Sequence, residues 1–212
     1  PAFQKPPDRA DTHTSREKTL LISAARAFGF TIHWTVAYYI FLAYMPTFAM
    51  RHLGVERSVA LWSNATGLLV LMVAAPLAGY CSDRIGRKPL LIASCLTIGV
   101  TVYPVFSFLL TSPSIIGVFL AQILFGLLIA LYSGPGPAAI AEIFSTQNRA
   151  TGMSVGYSMA VAVFGGFSPF IATWLIDFTG SPISPAYYVL FAALLTTLIL
   201  LRLPESAHRP LE

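Results

Sequence analysis

Six apolar runs, each near the ~20 residues an α-helix needs to cross a bilayer, dominate this chain. They lie at approximately Ala27–Tyr44, Ser58–Gly79, Pro89–Leu110, Ile115–Ser133, Met153–Ile176 and Ala186–Leu203. None alternates apolar and polar residues with period two, as the strands of a membrane barrel do. Inside lipid every backbone N–H and C=O must be satisfied within the protein, so runs of this kind are read as helices. The expected fold is therefore all-α and integral to a membrane, a bundle of six transmembrane helices.

A soluble bundle would need polar surface to cover those runs, and the chain lacks it. Of its 212 residues 56% are apolar and 10% charged, against ~45–50% and ~25% in ordinary soluble domains. The net charge of +4 comes from short clusters between the apolar runs. A nucleic-acid-binding face needs a basic stripe instead, so no nucleic-acid partner is expected. Cys81 and Cys95 are too few for a disulfide framework and lack metal-ligand spacing; both read as buried helical thiols. No His-rich metal box, nucleophile elbow or paired carboxylates points to an enzyme.

Sidedness follows from the positive residues. One side would carry Lys5, Arg9, Arg16, Lys18, Arg26, Arg84, Arg87, Lys88, Arg149, Arg202 and Arg209; the other has Arg51 and Arg57. Positive charge stays cytoplasmic, which places both termini inside. Residues 1–26 read as a cytoplasmic linker and lead-in, residues 27–203 as the membrane domain and residues 204–212 as a cytoplasmic tail. The chain opens on Pro1 rather than Met, as a fragment or processed chain would.

Between the second and third runs stands Gly79-Tyr80-Cys81-Ser82-Asp83-Arg84-Ile85-Gly86-Arg87-Lys88. A hairpin at a membrane surface needs a tight turn, which Gly86 permits. Asp83 is suited to a helix start or the positive end of a neighbouring helix. Arg84, Arg87 and Lys88 suit the headgroup level. Taken alone, the cluster is a topology signal. Its spacing resembles the Gly-x-x-x-Asp-Arg-x-Gly-Arg-Arg/Lys signature of the major facilitator superfamily. A second stretch, Glu142-Ile143-Phe144-Ser145-Thr146-Gln147-Asn148-Arg149 through Gly152, is similar to a loop of the sugar-porter-like branches, with Ser145 in place of the usual Pro. A third, Gly156-Tyr157-Ser158 through Gly165-Gly166 to Pro169, resembles span eleven of the metabolite:proton symporters. The opening Pro1-Ala2-Phe3 and closing Leu203-Pro204-Glu205-Ser206 fit the same branch.

The resemblance implies spans seven to twelve of a twelve-span transporter, built as 3+3 inverted repeats. It implies proton-coupled symport of a small organic acid or zwitterionic metabolite by alternating access, in a plasma membrane such as the bacterial inner membrane. The partners would be the N-terminal six-helix half, the lipid bilayer and a small polar metabolite. No cofactor beyond a coupling proton is expected. A sugar-porter-like facilitator or a non-transporting regulatory fragment are the alternatives. The implied conformational latch comprises Gly79, Asp83, Arg84, Gly86, Arg87, Lys88, Glu142 and Arg149, with Glu142 expected to pair with Arg84 or Arg87.

Polar and aromatic residues within the runs are the candidate substrate and proton path: His33, Tyr38, Tyr39, Asn64, Gln122, Tyr132 and Tyr157. His33 is the one residue among them whose type titrates near neutral pH. In the family, proton coupling rests on carboxylates, and no Asp or Glu lies mid-run here, which places the coupling acid in the other half. Gly134-Pro135-Gly136-Pro137 and Gly165-Gly166 are candidate hinges, or static kinks and close-packing points. Tyr44, Trp62 and Trp174, near run ends, are expected as interfacial anchors.

Overall fold

The computed structural model describes residues 9–144, 149–203 and 205, with side chains described at 20–144, 152–203 and 205. Among these residues it contains helices and turns and no strand. Six helical stretches are long and apolar enough to cross a membrane: Leu20–His52, Arg57–Ile85, Arg87–Thr111, Ile115–Ala141, Gly152–Thr179 and Ser184–Arg202. They are numbered here as spans one to six.

Several helices outrun the apolar stretches that mark them. The first is continuous from Arg9 through Arg26, so the expected lead-in belongs to the helix itself. Residues 1–8 of the expected linker, and all of the expected tail except Glu205, lie outside the described residues. Spans two and three are separated by Gly86 alone.

Prolines decide where the helices change pitch. Span one widens into a π-helical turn at Ile40–Tyr44, just before Pro46; span five does the same at Val161–Gly166, before Pro169. A proline ring collides with the carbonyl four residues back and supplies no N–H, and a π-turn absorbs that conflict by widening the ladder. Nearby in span five, Ser168 Oγ and Tyr188 Oη both donate to the carbonyl of Phe164, five residues before Pro169. In span four the helix stops at Ser133 and restarts at Gly136.

The helix pairings repeat. Span two lies along span four, as span five lies along span one; span three packs on span four, as span six packs on span one; and span three meets span six. Exchanging the first three spans with the last three maps each of these pairings onto another, the pattern of a 3+3 repeat. The closest crossing, between spans two and four, is built on glycine. A Cβ on Gly126 would sit 2.6 Å from the carbonyl oxygen of Gly67, and one on Gly134 would sit 2.5 Å from the amide nitrogen of Gly79. Small residues let backbones approach in a solvent that offers no hydrophobic drive between helices.

Large side chains fill the rest. Phe41 stacks on Phe125 with centroids 3.5 Å apart, and Phe48 and Phe106 close the same core. A smaller cluster of Phe30, Leu91, Tyr132, Ile140, Phe144 and Leu200 lies toward the Gly86 end. Burial is uneven. The most apolar windows of spans two and five are 17% and 28% buried, against 39% to 56% for the others. Two expectations change here. Tyr44 is an inward-facing core residue at the end of the π-helical turn; Trp62 and Trp174 do lie exposed. Cys95 is buried, but Cys81 is exposed on the open face of span two.

Candidate functional site

Two clusters hold the polar chemistry: a charged junction around Gly86 and an aromatic cavity between spans one, two, four and five.

At the junction, Gly86 has φ +110°, a region L side chains rarely adopt, and a Cβ there would also lie 3.0 Å from Glu205 Oε2. That turn starts span three with no side-chain cap of its own. The first amides of a helix need acceptors, and Glu205 supplies them: its carboxylate accepts from the amides of Arg87 and Lys88, each at 3.1 Å. A negative group at this end also complements the helix dipole. Lys88 Nζ completes the exchange by donating to the carbonyls of Leu201 and Leu203, at 3.1 and 2.7 Å, where span six ends. Spans three and six are thus clasped end to end.

Arg87 forms an ion pair with Glu142, each side chain only about a sixth exposed (16% and 15%). Of the two partners expected for Glu142, the structure selects Arg87. Arg84 turns the other way, its guanidinium 4.5 Å over the Tyr80 ring and hydrogen-bonded to that residue's hydroxyl. Asp83 reaches Arg87 only at 3.9 Å and is largely exposed, so the helix cap open to it goes to Glu205 instead. Gly79 packs against Gly134 beneath the junction. Arg149 begins a helix, but its side chain lies outside those described.

Glu205 was within a recognised stretch, yet its role was not legible there. The available signal was indirect: an uncapped helix start after Gly86 and an acidic residue just past the last span, more than a hundred positions away.

The candidate path residues divide. Tyr38, Tyr39 and Tyr157 line one cavity of about 380 Å³, together with Trp34, Thr35, Leu71, Met72, Ala75, Ser133 and Val161. Trp34, Thr35, Tyr38 and Tyr39 fall on one helical face, a spacing that marks Trp34 and Thr35 as readable members the path list omits. Trp34 Nε1 donates to Ser133 Oγ at 2.9 Å, tying span one to span four. Gly165 brings span five against this face, since a Cβ there would lie 2.8 Å from the Tyr39 ring; the position of Gly166 has its nearest neighbour at 3.9 Å. Gly136 likewise abuts the Trp34 ring.

The other four lie elsewhere. Tyr132 is buried, its hydroxyl donating to the carbonyl of Phe30 at 2.6 Å. His33 is fully buried beside the Tyr132 ring, and its ring nitrogens meet no hydrogen-bond partner among the described residues. Its backbone amide donates to Thr196 Oγ1, which donates to the carbonyl of Gly29, both at 3.1 Å. Thr196 therefore bridges the donor and acceptor of one turn of span one. Gln122 donates to Asn64 Oδ1 at 3.4 Å across the glycine crossing. Among the described residues no group of His, Cys, Asp and Glu could hold a metal ion.

Comparison with known proteins places this architecture. Residues 21–212 match the model of the Major Facilitator Superfamily. A citrate-proton symporter of Klebsiella pneumoniae is 37% identical over 167 residues, covering 76% of this chain and 36% of that protein. The ectoine/proline transporter ProP of Corynebacterium glutamicum is 30% identical, covering 82% and 34%. A citrate-proton symporter of Salmonella typhi is 32% identical, covering 76% and 37%. The chain thus spans about a third of the length of the curated relatives it matches. No solved structure is a significant match. With six apolar spans paired as a 3+3 repeat and nearly the whole chain matching one family model, this multi-pass membrane protein belongs to the major facilitator superfamily.

Proposed function

We propose that this chain forms the C-terminal six-span half of a secondary transporter that moves a small organic acid or zwitterionic metabolite together with a proton. The observation that carries this reading is the incomplete cavity: four spans wall it, while Tyr38, Met72 and Tyr157 on its lining stay exposed. Spans two and five, which flank that opening, are also the least buried of the six. A second six-span half seated there would close the cavity, and rocking of one half against the other would expose it alternately to the two sides. The names of the relatives, citrate-proton symporter and ectoine/proline transporter, support a small polar solute and a coupling proton.

The described carboxylates, Glu56, Asp83, Glu142, Asp177 and Glu205, all stand at span ends. The proton-carrying acid is accordingly assigned to the other half. The charged junction, with Arg84, Arg87 and Lys88, faces the cytoplasm in this reading, and both termini lie on that side. The test is uptake by the full-length protein in proteoliposomes of labelled citrate, smaller dicarboxylates, proline and trimethylglycine, with and without a protonophore. Accumulation abolished by the protonophore upholds the reading. Uptake that equilibrates and ignores the proton gradient replaces it with a facilitator, and no uptake of any solute overturns it.

A further inference from the structure

Thr196 stands on span six, which contributes nothing to the lining of the aromatic cavity. We infer that it is a positioning residue for that cavity. Its hydroxyl sets the turn of span one from Gly29 to His33, and so the placement of Trp34 and Thr35 on the cavity wall. This rests on the transport reading above and adds to it a residue that acts on the site without touching it.

Span one is not shaped by its own backbone ladder alone at this point. Thr31 Oγ1 donates to the carbonyl of Ala27 at 2.8 Å, and Thr196 Oγ1 to that of Gly29 at 3.1 Å. Tyr132 Oη donates to Phe30 at 2.6 Å, and Thr35 Oγ1 is shared between Thr31 and Ile32 at 3.2 and 3.1 Å. Five of six successive carbonyls, those of residues 27 and 29–32, thus receive a side-chain hydroxyl. A hydroxyl that competes for a ladder carbonyl loosens the turn and bends the helix. Two of these hydroxyls come from other spans, so packing helps to fix where the turn lies.

Thr196 has the fuller hold. It accepts from the His33 amide and donates to the Gly29 carbonyl, the two groups that an α-helix pairs with each other. Gly29 admits span six here, since a Cβ in its place would collide with Ile199 Cδ1. Thr196 and His33 are both fully buried, where bulk water does not share such bonds and each is electrostatically stronger. Trp34 and Thr35 follow at once in the chain. Trp34 Nε1 reaches Ser133 on span four, and a Cβ on Gly165 of span five would lie 3.3 Å from Thr35 Cβ. A shift or rotation of the Gly29–His33 turn is therefore passed to both lining groups, which have little slack against spans four and five.

The test uses the full-length protein. Thr196→Val and Thr196→Ala remove the hydroxyl, and Thr196→Ser keeps it. Thr197→Val is the control: it loses the adjacent hydroxyl, which donates to the carbonyl of Ala193 inside span six. Initial uptake of labelled citrate and of labelled proline is measured against concentration in proteoliposomes. Hydrogen exchange at the His33, Trp34 and Thr35 amides is followed in the same proteins and needs no solute. Loss of one buried hydrogen bond changes an equilibrium about two- to tenfold. KM for the solute taken up should rise by that factor in the valine and alanine variants with kcat near wild type, and the His33 amide should exchange faster. The serine variant and Thr197→Val should keep the wild-type KM. Alanine puts no methyl where the hydroxyl was, so it decides the matter where the valine variant does not fold. A wild-type KM in monodisperse Thr196→Ala protein, or an equal rise in Thr197→Val, overturns this inference and leaves the transport reading intact. No uptake by the wild type overturns the transport reading; exchange at His33 then decides the role of Thr196, and unchanged exchange in Thr196→Ala removes it.

Discussion

The Arg87 guanidinium meets the Glu142 carboxylate where both side chains are only about a sixth exposed, joining the start of span three to the end of span four. Removing one partner leaves the other charge in a poorly solvated place. A fully buried pair loses about 3–5 kcal/mol on such a change; the residual exposure puts this one at about 2–3 kcal/mol. Glu142→Gln and Arg87→Gln should each lower the thermal midpoint of the detergent-solubilised protein. The exchange Arg87→Glu with Glu142→Arg should recover most of the loss, and failure of the exchange to improve on either single charge reversal would count against a pairwise contact.

Glu205 binds the two leading amides of span three from a residue just beyond span six. Loss of a helix cap costs about 1 kcal/mol, while the contacts of Lys88 Nζ with the carbonyls of Leu201 and Leu203 do not involve the carboxylate. Glu205→Ala should accelerate hydrogen exchange at the amides of Arg87 and Lys88 and leave those of span two unchanged. Equal protection in the variant would show that those amides have another acceptor.

Glycines that look alike in sequence should differ sharply on substitution. At Gly134 a methyl group meets the backbone of Gly79 and Ala75 within 2.6 Å, atoms that cannot rotate away. At Gly166 it meets nothing closer than 3.9 Å. Gly134→Ala should therefore cost about 1–3 kcal/mol, the range of overpacking, and reduce the yield of monodisperse protein. Gly166→Ala should purify as the wild type does. Similar behaviour of the two variants would contradict the close crossing of spans two and four.

What could be read beforehand follows from the range of each interaction. The six spans were legible because hydropathy is local, and the Gly86 turn because its charges and glycine are contiguous. The partner of Glu142 was narrowed to Arg84 or Arg87 but not chosen, since the two stand on different helices either side of Gly86 and which of them meets the end of span four is decided by packing. Glu205 and Thr196 were missed because their partners, Arg87 and His33, lie more than a hundred residues away. Tyr44, read as an interfacial anchor from its place near a run end, is buried at the end of a π-helical turn, and which way a residue faces there is set by packing between spans that local hydropathy does not report. Trp34 and Thr35 share a helical face with the chosen Tyr38 and Tyr39, and a strict face count would have included them.

The open side of the cavity leads to the last prediction. Spans two and five keep most of their apolar surface uncovered, and Tyr38 and Tyr157 on the cavity wall are 38% and 37% exposed. In a bilayer, lipid would occupy that side of the six-span unit, and a cavity with a lipid wall cannot seal against both aqueous compartments in turn. Alternating access needs a second rigid body to rock against. The isolated six-span unit, reconstituted in proteoliposomes, should therefore accumulate no solute above protein-free vesicles in a proton gradient. Co-expression with the complementary six-span half should restore uptake, and cysteine cross-links from Met72 to that half should form only in the combined protein. Concentrative uptake by the six-span unit alone would mean that it closes the cavity by itself, through self-association of spans two and five.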